Sequence, residues 1–422
     1  MRVVVSGENL QTLNTLTIIK KLPNSLNKTL QKIKYFLQIN FNLRLLSKSH
    51  QIIMINQLTT VKTIGIIGGG QLGKMTNHAA QQLGFNTIVF SDQESCGSKS
   101  SANSIIAPYN NEEALSKFAN LADVATFEFE NIPLATAKFL EARMPIFPNS
   151  NALAIAQNRQ LEKAFLANNN IQTVDFAPIN SLEELKAKSV EFLGKYQKIV
   201  IKTAVFGYDG KGQFVLDRLK IGNNPTNKII EIWQELAQHY QKVPPLIIEE
   251  FWQFDYEISV ITARSNKEIR AFMPMLNIHK NGILSTSIYP SKASEEIIAK
   301  AVDITNRLAI ALDIFGLLTV EFFVGTKNNE TTILVNEIAP RPHNSGHFSM
   351  DGAHCSQFEQ LVRAIASLPL GNPNFLFSGK MINLIGEEVL EVEQYLKSGD
   401  SRIHLYGKEI APNRKMGHIN IY

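Results

Sequence analysis

From Val61 onward, short apolar runs alternate with helical stretches: "KTIGIIG", a helix over about Gln71–Leu83, "NTIVFSD", "IIAP", then "VATFEFE". That alternation leaves little choice of fold, because parallel strands need a crossover between them and a helix is the compact way to make it. A doubly wound α/β domain is therefore expected over about 54–152. The pattern then changes. The strand "KIVIKTA" and the glycine-rich "FGYDGKGQ" mark a second unit. Past about 255 the runs lengthen into hairpins such as "LLTVEFFVGTKNNETTILVNEIAP", so a mixed or antiparallel sheet is predicted, flanked by a helix over 294–312.

The 422 residues, 44% hydrophobic and 19% charged, supply cores for two or three domains. Cys96 and Cys355 are the only cysteines and have no metal-type spacing, which argues against a disulfide framework or a zinc site and fits a reducing cytoplasm. No run of apolar residues is long enough to span a bilayer. The net charge of +4 is uneven: residues 1–53 hold eight Lys/Arg against Glu8 alone, contributing +7 and leaving −3 for the rest. Nucleic acid is not an expected partner. The basic extension 1–53 is read as disordered or as lying upstream of a native start at Met54, with a targeting segment or an extra helical module as the alternatives.

Gly68, Gly70 and Gly73 form a GxGxxG, and Asp92 ends the next strand. This suits a dinucleotide, a monophosphate or substrate, or simply a tight strand-to-helix turn, and alone does not decide among them. A stronger nucleotide site lies downstream. Lys202 ends a strand before a loop with Gly207, Gly210 and Gly212, too glycine-rich for a core but suited to laying amides over phosphates, with Lys211 adding charge. Glu249 and Glu250 end another apolar strand, where adenine and ribose could be met, and Glu257 follows. If the last long hairpin turns near Asn329, Glu321 and Glu337 face each other. Two desolvated carboxylates repel, so one holds a proton or a divalent cation lies between them, with Asn336 as a further oxygen.

A phosphate lysine, a glycine flap, an acidic hinge and a metal pair, in that order, resemble the ATP-grasp superfamily. Within it, "GGGQLGKM", "FEFENIP", "GYDGKGQ", "NEIAPRPHNSGH" and "YGKEIAPNRKMGH" are similar to the motifs of the 5-(carboxyamino)imidazole ribonucleotide synthetase family, ligases of purine (IMP) biosynthesis, over about 60–422. The resemblance implies an N-terminal doubly wound (pre-ATP-grasp) domain and an ATP-grasp domain over 153–372 with a small α+β lid at about 160–250. A small β-rich C-terminal domain over 373–422 follows, shorter than is usual in the family. ATP contacts are implied at Arg159, Lys202, Gly207, Tyr208, Asp209, Gly210, Lys211, Gly212, Gln213, Glu249, Glu250, Phe251, Trp252, Glu257, His279, Asn336 and Glu337. Near His279 the stretch "MPMLNIHKNG" is one residue shorter than the family's and lacks a glutamate before the asparagine. Glu321 and Glu337 would hold Mg²⁺, or Mn²⁺ in its place.

For such an enzyme bicarbonate attacks the γ-phosphate of ATP, and the amine of aminoimidazole ribonucleotide takes up the carboxyl unit. Arg341 and His343 would grip bicarbonate and assist proton transfer, Tyr208 and Asp209 would shield the intermediate, and Lys408 would bind it. Gly70, Gln71, Leu72 and Glu128, with Arg414 and Lys415, would meet the ribonucleotide. A homodimer is expected. The competing readings are a formate-dependent ribotide transformylase, a biotin carboxylase-like ligase, an NAD(P)-dependent oxidoreductase resting on the first glycine loop, and a non-catalytic nucleotide-binding remnant.

Overall fold

The computed structural model describes residues 59–205, 212–221, 225–240, 242–327 and 329–422. The chain divides into a unit Met1–Thr60 and a unit Val61–Tyr422, and all three sheets belong to the second. The expectations for residues 1–53 and for Gly207, Tyr208, Asp209, Gly210 and Lys211 fall outside the described residues.

The first sheet is parallel throughout, with strands β1 (Thr63–Ile67), β2 (Asn86–Ser91), β3 (Ser104–Ile106), β4 (Val124–Phe127) and β5 (Ile146–Phe147) in the order β3-β2-β1-β4-β5. Its strands are apolar on both faces because helices cover both; Ile64, Ile66 and Ile67 are wholly buried. Strand order reverses between β1 and β4, so a crevice opens beyond their carboxyl ends. Gly68–Gly70 and Glu128 lie there. The helix Gln71–Gln82 begins at that edge, matching the predicted span to within a residue.

A second sheet of four strands, all antiparallel, has the order β6-β9-β7-β8, with β6 (Phe176–Ile179), β7 (Lys198–Thr203), β8 (Gln213–Asp217) and β9 (Leu246–Glu250). Helices Leu182–Lys195 and Thr226–His239 cover it with Leu185, Phe192, Ile229 and Ile232.

The third sheet is antiparallel and has nine strands. They are β10 (Tyr256–Arg264), the short side strand β11 (Ile269–Ala271), β12 (Met275–Lys280), β13 (Ile283–Tyr289), β14 (Gly316–Lys327), β15 (Glu330–Ala339), β16 (Gly379–Ile385), β17 (Ser401–Leu405) and β18 (Lys415–Ile421). Helix Glu295–Ala311, capped by the Ser294 side chain, lays Ile304 and Leu308 on Leu318 and Val320. The strands of 373–422 form no sheet of their own: β16 pairs with β13 and extends the large one. Helix Gln357–Ile365 ties the first and third sheets together, since Phe358 and Leu361 share a core with Leu72 and Met75 of the first helix and with Ile261 and Leu317 of the third sheet.

Candidate active site

β14 and β15 pair with Glu321 opposite Glu337, and Asn329 occupies the turn with φ +64°. The ladder slips by one residue between Glu321 and Phe322, whose partner is Val335, so Asn336 is the extra residue of a β-bulge. The bulge matters for direction. Ile333 and Val335 face the core under helix Glu295–Ala311, and simple alternation would send Glu337 there too. Ile338 takes that place instead, and Asn336 and Glu337 both look out beside Glu321. Burial, and then the Glu337 charge, push the Glu321 carboxyl up to about 8.

Glu321, Glu337 and His343 place ligand-type atoms within 4.8 Å of one another, the one such group among the described residues. Two facing carboxylates, one driven by burial and by the other's charge to hold a proton, with an amide alongside, are a donor set that fits Mg²⁺.

Around the pair runs a buried ladder of opposite charges. Arg159, opening helix Arg159–Asn168, places Nη2 3.1 Å from Glu337 Oε2. Lys202 at the end of β7 meets Glu249 of β9 at 2.5 Å, and Lys163 reaches the other Glu249 oxygen at 3.6 Å. Burial alone would raise the Glu249 carboxyl; Lys202, then Lys163 and Arg159, overcome this and hold it at about 2. Lys163 Nζ also donates to Thr173 Oγ1 at 2.6 Å and to the Asn336 carbonyl at 2.8 Å, bracing the bulge from behind. Glu162 accepts from the Ile338 amide at 2.6 Å, while burial pushes its carboxyl up to about 7. Glu249 is thus a countercharge within the protein, and its carboxylate is not free for adenine.

The other hinge residues divide. Glu250 lies 3.5 Å from Lys327, Phe251 is exposed beneath Lys198, and Trp252 packs with Val174 and Leu334. Glu257 and His279 approach each other at 2.8 Å beside the carboxylate pair. Burial would lower the His279 pKa, but Glu257, then Glu321 and Glu337, raise it. Gly212 (φ +70°) immediately precedes β8, whose first residue, Gln213, pairs with Lys202.

Arg341 does not stand free. Its Nε and Nη2 clamp both oxygens of Glu130, from "FEFEN", and Nη1 donates to the Pro342 carbonyl at 3.0 Å. The fork edge expected to grip bicarbonate is therefore filled by a carboxylate, leaving only outer Nη hydrogens for an anion. His343 sets Nε2 3.4 Å from Glu321 Oε1. Burial first, then Arg341, hold it neutral. Gln357 grips the backbone of His343 on both sides, accepting from its amide at 2.9 Å and donating to its carbonyl at 2.7 Å.

At the first glycine loop, Glu128 occupies the helix N-terminus, accepting from the amides of Gly70 and, at 2.7 Å, Gly73. A pyrophosphate would need those same amides, so the dinucleotide reading of Gly68–Gly73 fails on the chain's own carboxylate. The Leu72 side chain is buried in the core. Gln71 Oε1 accepts from Lys408 Nζ at 2.5 Å, and Lys74 reaches the Leu405 carbonyl at 3.2 Å. Burial lowers the Lys408 pKa. Arg414 and Lys415 part company: Arg414 is exposed and bonded to the Glu409 carbonyl at 3.3 Å, whereas the charge of Lys415 falls on Glu321 and His343.

Family models match three stretches: a ribonucleotide synthetase preATP-grasp domain over 61–157, an ATP-grasp domain over 164–358, and a phosphoribosylaminoimidazole carboxylase C-terminal domain over 380–422. The N5-carboxyaminoimidazole ribonucleotide synthase of Bacillus subtilis (strain 168) is 40% identical over 363 residues, covering 84% of this chain and 90% of the relative. The chain belongs to the N5-carboxyaminoimidazole ribonucleotide synthase family. The Brucella melitensis family member is 39% identical over 85% of this chain and 95% of its own. A crystal structure of an N5-carboxyaminoimidazole ribonucleotide synthetase with ADP superposes with TM-score 0.77 at 37% identity, covering 85% of this chain and 92% of that one. The Aspergillus clavatus family member in complex with ADP and 5-aminoimidazole ribonucleotide gives 0.75 at 28% identity, with coverage of 85% and 93%.

Proposed function

We propose that this ATP-grasp ligase carboxylates 5-aminoimidazole ribonucleotide to N5-carboxyaminoimidazole ribonucleotide in purine biosynthesis, consuming ATP and taking bicarbonate as the carbon source. Glu321 facing Glu337, ringed by Arg159, Lys202, His279 and His343, is the observation that carries it: a concentration of paired charge at one end of an otherwise apolar hairpin. Glu321 and Glu337 would hold Mg²⁺, which would supply positive charge for the oxygens of a transferring phosphoryl group. Lys202, paired with Glu249 at 2.5 Å, would meet the phosphates from the second sheet. An oxygen of bicarbonate attacks the γ-phosphorus, the bond to ADP breaks, and carboxyphosphate forms. The exocyclic amine then attacks its carbonyl carbon and phosphate leaves. Arg341 orients the anion with the hydrogens that Glu130 leaves, and His343 faces the reacting oxygens.

The motif at 207–211, with Tyr208 and Asp209, is assigned by the family resemblance to shield carboxyphosphate from water. Gln71 and Lys408 hold the acceptor ribonucleotide in the crevice beside Glu128, where chain ends from two sheets meet. We place the enzyme in the cytoplasm as a homodimer; no helix among the described residues is long and apolar enough to cross a membrane. ADP release from Mg·ATP tests the reading. It should need both bicarbonate and aminoimidazole ribonucleotide, and neither formate nor biotin should replace them; release indifferent to the ribonucleotide would refute it.

A further inference from the structure

The loop after β15 brings His343 to the carboxylate pair, and its ring is held from behind by two serines. Ser345 sits in a short 3-10 turn, Asn344–Gly346, capped by the His343 side chain. Its hydroxyl lies 2.8 Å from His343 Nδ1, and its backbone N–H donates to the same nitrogen at 3.3 Å. A backbone amide can only donate, so Nδ1 must present its lone pair. Ser259 Oγ donates to Ser345 Oγ at 2.7 Å, and both serines are buried. The Ser345 hydroxyl, already accepting from Ser259, has its own proton left for Nδ1. Each link in the chain therefore runs in one direction, toward the ring.

Ser259 is not placed there by accident of a loop. On β10 it pairs with Glu321 of β14, so its hydroxyl rises from the same face of the sheet as the carboxylate. The strand that pairs with the metal-binding hairpin also supplies the start of the relay. With Nδ1 accepting, a neutral imidazole carries its proton on Nε2, the atom 3.4 Å from Glu321 Oε1.

We propose that Ser345, backed by Ser259, is a positioning residue that fixes His343 in the Nε2–H tautomer, so that the ring meets the reaction centre as a hydrogen-bond donor and not as a metal ligand. The cluster of Glu321, Glu337 and His343 then divides by chemistry: two carboxylates for the cation, and one N–H for an anionic oxygen brought beside it. This rests on the role proposed for His343 in the carboxylation and deepens it, and its first readout is independent of turnover.

The test is nitrogen NMR on the metal-free protein with ¹⁵N-labelled histidine, the His343 signals being assigned by their loss in His343→Gln. A pyridine-type shift at Nδ1 and a pyrrole-type shift at Nε2 are expected, and adding Mg·ADP should leave the Nε2 proton in place. The opposite tautomer, or loss of that proton on adding Mg·ADP, overturns the proposal. In Ser345→Ala only the longer amide contact at 3.3 Å is left to hold Nδ1 as an acceptor, so the Nε2–H tautomer should lose part of its population to the other. There kcat should fall about 10- to 100-fold, the usual cost of losing a partner that orients a working histidine. KM for ATP should stay within about twofold, as for a contact that counts only in the transition state. Ser345→Thr, which keeps the hydroxyl, should restore both the spectrum and the rate. An unchanged tautomer and rate in Ser345→Ala refutes the role of the serine. Should that variant fail to fold, Ser259→Ala leaves the turn intact and must shift the same tautomer balance in the same direction.

Discussion

Glu321 shows how far one residue can serve activity against stability. Its folded pKa of about 8 lies above the ordinary 4.5, so the metal-free protein gains from holding it protonated. That contribution is complete below pH 4.5 and disappears as pH rises through about 8. Melting curves in chelator should therefore fall between pH 5 and 9 in the wild type and stay flatter in Glu321→Gln, which cannot ionise. The same variant should lose at least about 100-fold in ADP release, the scale seen when one group stabilising a transition-state charge is removed. Glu249 is the opposite case. Glu249→Gln leaves the buried Lys163 with Glu162 alone against its charge and should cost about 3 kcal/mol in urea unfolding. Lys163→Met combined with Glu249→Leu should recover part of that stability while activity is lost, because the Asn336 carbonyl loses its brace and Lys202 its partner. The facing carboxylates were legible in the sequence since their apolar flanks made them anomalous. Lys163 was not. It lies in a helix whose Leu161 is 48% exposed while Lys163 is 0%, an inversion of the usual amphipathic pattern with no local signal.

At the scale of elements, the helices over 71–83 and 294–312 and the β14–β15 hairpin followed from periodicity, but the feature that aims the site did not. A two-residue turn between Lys327 and Glu330 would by itself set Glu321 opposite Asn336, and only the bulge moves Glu337 into that position while keeping Ile338 in the core. Counting outward from Asn329 reached the right pair through an extra residue that the pattern could not reveal. A bulge is fixed by what holds it, here Lys163 on the Asn336 carbonyl, and that partner lies in a helix far away in sequence. The first glycine loop can be tested in the same terms. Gly68 has φ +104°, and a Cβ there would lie 2.3 Å from Glu128 Cγ. Gly68→Ala should cost about 1–3 kcal/mol in stability through backbone strain. By dislodging Glu128 it should raise KM for aminoimidazole ribonucleotide more than KM for ATP, which steady-state kinetics would separate.

Within the unit Val61–Tyr422, the proposed acceptor and nucleotide sites draw on different parts of the chain. The order of the units was legible because each has its own periodicity. The merging of β16–β18 with the large sheet was not, because antiparallel partners so distant in sequence leave no trace in local pattern. That merging has a functional result. It carries Lys408 to the start of the first helix, where it meets Gln71, while Lys202, Glu249 and the carboxylate pair sit on β7, β9, β14 and β15. Removing the Lys408 ammonium should therefore uncouple the two halves of the reaction. In Lys408→Met, the Kd for Mg·ADP by calorimetry should stay within about twofold, since no nucleotide-side contact is touched. ADP release stimulated by aminoimidazole ribonucleotide should fall at least about 100-fold, as expected when a buried charge that binds an anionic intermediate is lost. Gln71→Leu should move in the same direction by a smaller factor, because it removes the partner that holds the ammonium and leaves the charge itself in place. If Lys408→Met turned over normally, the last strand pair would be a structural edge alone, and the acceptor would have to be held by the first sheet without help from the C-terminal strands.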